Sequence, residues 1–126
     1  MKIKQYGEMS FRGTCALEDS EQIMFLKWLE RNYKHLWELC IHPKNEGKRT
    51  MAQAKREKEM GLKKGAPDLI IMTTPPILIE MKRRDPTKNK ATKEQIDFLE
   101  KAQAQGARCA ICYGSIGAKE FIDEIS

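Results

Sequence analysis

The chain has 126 residues, the size of one domain with a single buried core. It is 40% hydrophobic and 33% charged with a formal charge of +5, which fits a globular protein. The sign suits a polyanionic partner without deciding for one. No apolar run approaches the ~20 residues needed to span a bilayer, and the first residues hold no apolar segment of signal-peptide length. A cytoplasmic location is therefore expected, with all four cysteines reduced.

Residues 1–18 carry little pattern and are expected to be partly ordered at most, with Phe11-Arg12-Gly13 as an arm or a partner contact. A helix is expected to start at Asp19 or Ser20, because Ile23, Phe25, Leu26, Leu29 and Tyr33 recur at helical spacing. Glu21 falls in its first turn, either complementing the helix dipole or serving as a further carboxylate of a site. Residues 36–42 read as a first strand, with Trp37, Leu39 and Ile41 alternating with Glu38 and Cys40. His42 before Pro43 reads as an ordinary surface or core histidine. Residues 43–49 form a loop in which Asn45, Lys48 and Arg49 either hold a phosphate or are merely solvated. Residues 50–60 are rich in helix formers and stop at Gly61. Lys63 and Lys64 follow, placed to steer a phosphate or to face water.

Residues 69–72 and 77–79 are short apolar runs joined by Thr73-Thr74-Pro75-Pro76, which is turn chemistry. Pairing them antiparallel about Thr74 sets Ile70 opposite Leu78 and Asp68 opposite Glu80. Directly opposed side chains share a face about 5 Å apart, and Lys82, two beyond Glu80, shares it too. Met81 points the other way. Two carboxylates that close repel unless a cation lies between them. An oxygen-only pair suits Mg²⁺, which takes one or two carboxylates, waters and phosphate oxygens. The plain alternative is that both carboxylates end strands and Lys82 pairs with one of them.

Residues 83–91 are strongly basic, with Arg83, Arg84, Lys88 and Lys90 beside the proposed site. They are expected to grip a nucleic-acid backbone. Thr92-Lys93-Glu94-Gln95 opens the next helix and has capping-box spacing. Ile96, Leu99 and Ala102 form its inner face, and Gly106 ends it. Residues 107–113 read as a strand and 116–125 as a closing helix. Cys109 and Cys112, three apart in a strand, face opposite sides and cannot share a zinc ion. The expected order is α-β-α-β-β-α-β-α, a single α/β domain over residues 1–126 with a small mixed sheet flanked by helices.

The ordered set Glu21, Asn45-Glu46-Gly47, Gly65-Ala66-Pro67-Asp68, Glu80-Met81-Lys82 and Thr92-Lys93-Glu94-Gln95 resembles the VRR-NUC family of the PD-(D/E)xK nucleases. The resemblance covers roughly residues 20–126. It implies a restriction-endonuclease-like core and a Mg²⁺- or Mn²⁺-dependent DNA endonuclease. It further implies metal ligation by Asp68, Glu80, the Met81 carbonyl and Glu21, with Lys82 and Gln95 as catalytic support. Stand-alone members are small phage-type proteins, which implies a homodimer acting on branched DNA such as Holliday junctions, in a bacterial or phage-infected cell. A sequence-specific restriction-type nuclease and a non-catalytic nucleic-acid-binding module remain the other readings.

Overall fold

The computed structural model describes residues 2–43 and 49–126. Two features of the sequence set its centre. Residues 77–82 and 108–113 are mostly apolar without alternation, so both must be covered on two faces. They form β4 (Ile77–Lys82), in which every residue is buried, and β5 (Arg108–Tyr113), in which all but Arg108 are. The two run parallel, joined by α4 (Lys93–Ala104). β3 (Leu69–Ile71) pairs antiparallel with β4 with Ile70 opposite Leu78, the register read from the turn. β2 (Cys40–Ile41) adds antiparallel to β3. β1 (Lys4–Tyr6) adds parallel to β5, so the sheet order is β1-β5-β4-β3-β2.

The helices divide between the two faces, as expected. α1 (Glu18–Asn32), α2 (Lys34–Trp37) and α5 (Gly114–Ile125) cover one, where Phe25, Leu29, Phe121 and Ile122 pack on Ile79 and Met81. α4 covers the other, with Leu99 on Leu78 and Ile111. Full burial of one such side chain is worth about 1.5–3 kcal/mol. Cys109 lies in this second layer and Cys112 in the first, so the pair is divided by the sheet as its spacing requires. α3 (Met51–Glu59) buries none of its residues.

Three expectations need correcting. The first is that residues 1–18 are poorly ordered. Instead Ile3 and Tyr6 are buried on opposite faces of the sheet, and β1 closes the edge of β5. The second is a strand over residues 36–42. Leu36 and Trp37 turn helically from Tyr33 to pack on the core, leaving a two-residue strand. Here alternation misleads, because Leu39 and Ile41 are the exposed face of an edge strand and Cys40 points inward. The third is Ile23 as an inner residue of α1; it is exposed, while Phe25 and Leu29 are fully buried.

Candidate active site

Asp68 sits where the chain bends into β3, one step beyond the last ladder pair, Leu69 with Ile79. Its Oδ2 accepts the Met81 N–H at 2.7 Å, in the place a strand carbonyl would take. In a strand the N–H and C=O of one residue point to the same side. The Met81 carbonyl is therefore aimed past the end of β3 beside Asp68, while its side chain is buried in the core. Across the register Glu80 is 1% exposed and Lys82 5%. Glu80 Oε2 lies 3.4 Å from Lys82 Nζ, and Glu80 Oε1 is buried without a partner among the described residues.

Burial pushes the Glu80 carboxyl up to about 9, and the Asp68 charge adds to this, while Lys82 pulls it back. Burial therefore favours the protonated form of Glu80 in the metal-free protein, and the Asp68 charge acts in the same direction. A buried orphan oxygen and a carboxyl held protonated are what a carboxylate pair shows when it is shaped for a cation. The donor set fits a hard divalent ion: two carboxylates and one carbonyl, all oxygen. Among the described residues no cluster of three or more His, Cys, Asp or Glu side chains is poised for a metal.

The other candidates fall in different places. Glu21 is buried on α1, and its Oε1 accepts the Ser115 N–H at 2.9 Å in the first turn of α5. It reaches the same end of the sheet, since Tyr113 pairs with Lys82, but from the opposite face to Glu80. Gln95 closes a capping box with Thr92, its Oε1 accepting the Thr92 N–H at 2.9 Å. Thr50 and Gln53 form the same box on α3, so the Thr-x-x-Gln spacing has a purely local use as well. Gln95 is nonetheless held close to the Asp68 segment. Gly65 has φ +90°, and a Cβ there would fall 2.5 Å from the Glu94 carbonyl oxygen and 2.9 Å from the Gln95 nitrogen. Only glycine allows that approach.

The basic loop divides. Arg83 donates to the carbonyls of Ala16 and Cys15 at 3.1 and 2.8 Å, and Arg84 stacks on Phe11 at 4.2 Å and lies 3.8 Å from a Glu8 carboxylate oxygen. Both are occupied in holding residues 8–16. Lys88 and Lys90 are exposed, as are Lys63 and Lys64. Arg49 pairs with Glu57 at 3.2 Å. Asn45 and Lys48 lie outside the described residues.

Two further residues support the site, Asp85 and the histidine that the sequence reads as ordinary, His42. Asp85, 2% exposed, accepts from Thr87 N–H, Thr87 hydroxyl and Gly13 N–H at 2.9, 2.7 and 3.0 Å. Those bonds hold its carboxyl down to about 2. Asp-Pro-Thr was a legible turn signal. His42 Nδ1 lies 2.5 Å from the Asp68 carbonyl oxygen, which can only accept, so Nδ1 carries the proton. No local pattern marks that contact.

The VRR-NUC domain model matches residues 16–116. A solved structure described as a VRR_NUC domain protein superposes with a TM-score of 0.74 at 24% identity, covering 90% of this chain and 89% of that one. That likeness is one of fold. No curated protein sequence matches the chain.

Proposed function

Because the chain belongs to the VRR-NUC family, a nuclease-type family whose domain model spans most of it, we propose that it is a divalent-metal-dependent DNA endonuclease. The observation that carries this is the half-buried Asp68 opposite the buried Glu80, with Lys82 beside it and a Glu80 oxygen that has no partner among the described residues. Asp68, Glu80 and the Met81 carbonyl would hold Mg²⁺ or Mn²⁺. When bound, the ion supplies Lewis acidity toward the scissile phosphate and lowers the pKa of a water.

The rest falls to the chain. Lys82 Nζ lies 3.4 Å from Glu80 Oε2. With Glu80 holding the ion, the Lys82 ammonium would be left to donate to the attacking water or to the phosphate oxygens where charge accumulates. His42 and the Met81 N–H hold the Asp68 main chain and carboxylate in place. Gln95 keeps the start of α4 against Gly65 and so positions the Asp68 turn. Glu21 fixes the start of α5 behind Lys82. No Ser, Tyr or Cys lies in the Asp68–Glu80–Lys82 motif, so hydrolysis proceeds without a covalent enzyme intermediate.

The finer reading is a homodimer selective for branched DNA such as Holliday junctions. One site per chain must be doubled by two-fold symmetry to cut two strands symmetrically. Cleavage of linear duplex, flap and four-way-junction DNA with and without Mg²⁺ tests this. Asp68→Ala and Glu80→Ala are expected to abolish cutting while the protein stays folded and binds DNA. Cutting by either variant near the parent rate would reject the site. Sequence-dependent cutting of linear duplex would favour a restriction-type enzyme, and binding without cutting a non-catalytic module.

A further inference from the structure

α3 is a complete helix that buries none of its residues against the described part of the chain. Its start is closed by the Thr50–Gln53 box, yet no residue from Met51 to Glu59 is buried, and Met51 is 91% exposed. Nine residues are fewer than the ~12–15 at which an isolated helix holds in water. A helix that buries none of its residues is stabilised by its cap, by the Arg49–Glu57 ion pair and by whatever it binds.

Charge indicates what that is. Residues 49–64 hold six cations, Arg49, Lys55, Arg56, Lys58, Lys63 and Lys64, against two carboxylates, Glu57 and Glu59. Glu57 is already paired with Arg49. This segment carries +4 of the chain's formal +5. It repels a second copy of itself and attracts a polyanion. At about 1.5 Å per residue the helix is ~13.5 Å long, and a helix that buries none of its residues fits a major groove ~12 Å wide. A helix fastened along the sheet would not enter it. From Glu59 to Asp68 is nine residues, a reach of at most ~32 Å, inside one ~34 Å turn of duplex.

We propose that α3 is the element that grips a double-stranded arm of the substrate, lying in its major groove with Lys55, Arg56 and Lys58 on phosphates within one turn of the cleaved bond. This rests on the DNA reading above and adds where, and in what form, the DNA is held.

The test is binding by the full chain, made inert with Asp68→Ala, to a 20-base-pair duplex and to the matching single strand across a salt series without divalent metal. The combined variant Lys55→Ala, Arg56→Ala, Lys58→Ala is expected to weaken duplex binding by about tenfold or more at moderate salt. Its log–log salt slope should be shallower by roughly 0.9 per lost contact, up to ~2.7. Its melting temperature should match the parent's, because no buried side chain changes. Lys55→Arg with Lys58→Arg should retain binding. An unchanged slope overturns the proposal. An equal loss on single strand overturns the groove assignment. A changed sedimentation coefficient with an unchanged slope assigns α3 to a second copy instead. A parent chain that binds duplex but cuts no DNA rejects the nuclease reading and leaves α3 in place. Normal binding by the triple variant of a chain that does cut rejects α3 alone.

Discussion

Glu80 couples the site to stability. Its carboxyl is raised from 4.5 to about 9 in the fold, so the folded chain keeps a proton that the unfolded chain loses. The stabilisation is full below about pH 4.5 and is lost as pH rises through about 9. Asp85, held down to about 2, adds no slope in that window. The melting temperature of the metal-free protein is expected to fall by roughly 5 °C or more between pH 6 and pH 8.5. Glu80→Gln should flatten that slope, and Mn²⁺ should offset it in the parent. A flat parent profile in thermal melts would contradict the buried, protonated carboxyl. Lys82→Ala separates chemistry from counter-charge. It should keep its fold and much of its metal affinity but lose turnover by at least ~10²-fold. Calorimetric metal binding beside single-turnover cleavage decides it, and cleavage within a few-fold of the parent would make Lys82 structural.

Among the elements, the loop after β4 works as a clasp. Asp85 ties Thr87 to Gly13, while Arg83 and Arg84 hold residues 8–16 across it. The N-terminal segment and the turn after Lys82 are therefore ordered together. Asp85→Ala is expected to release both, seen as lost hydrogen-exchange protection at the Gly13 and Thr87 amides. Cleavage should fall about tenfold, the scale of a lost supporting contact, and Asp85→Asn should recover part of it. Unchanged protection would show that the arginines suffice. The same geometry divides the loop's charges. Neutralising Lys88 and Lys90 should make the salt slope of duplex binding shallower by roughly 0.9 per contact. Neutralising Arg83 and Arg84 should instead loosen the arm.

At the scale of the whole molecule, β4 is central because it meets an antiparallel neighbour on one side and a parallel one on the other. The carboxylate pair sits at the end where β3 has stopped and β4 continues. β1 covers the outer edge of β5, and Gly117 lets α5 approach so closely that a Cβ there would lie 2.5 Å from the Tyr6 carbonyl oxygen. Removing residues 1–13 deletes β1, the burial of Ile3 and Tyr6, and the far side of the Asp85 clasp. Two such side chains are worth about 3–6 kcal/mol, so the melting temperature should drop by roughly 10 °C or more. A truncated chain melting with the parent would mean that β1 is only laid on the edge.

Local relations were legible in the amino-acid order. The turn at residues 73–76 and a period of two determine that Asp68 faces Glu80, that Lys82 joins them, and that Met81 turns into the core. The same period sends Cys109 and Cys112 to opposite faces, and one helical turn closes the Thr92–Gln95 box. Each needs only neighbours in the chain and the geometry of a strand or a helix. Partners far apart in sequence were decided by the tertiary structure. Ser115 takes Glu21, Cys15 and Ala16 take Arg83, and the Asp68 carbonyl takes His42. β1 is a strand only because β5 offers it an edge, and residues 34–37 are helical because Leu36 and Trp37 reach the core that way. A backbone amide or a sheet edge leaves no mark on the sequence of the segment that will bind it, so the fold must form before such partners are chosen.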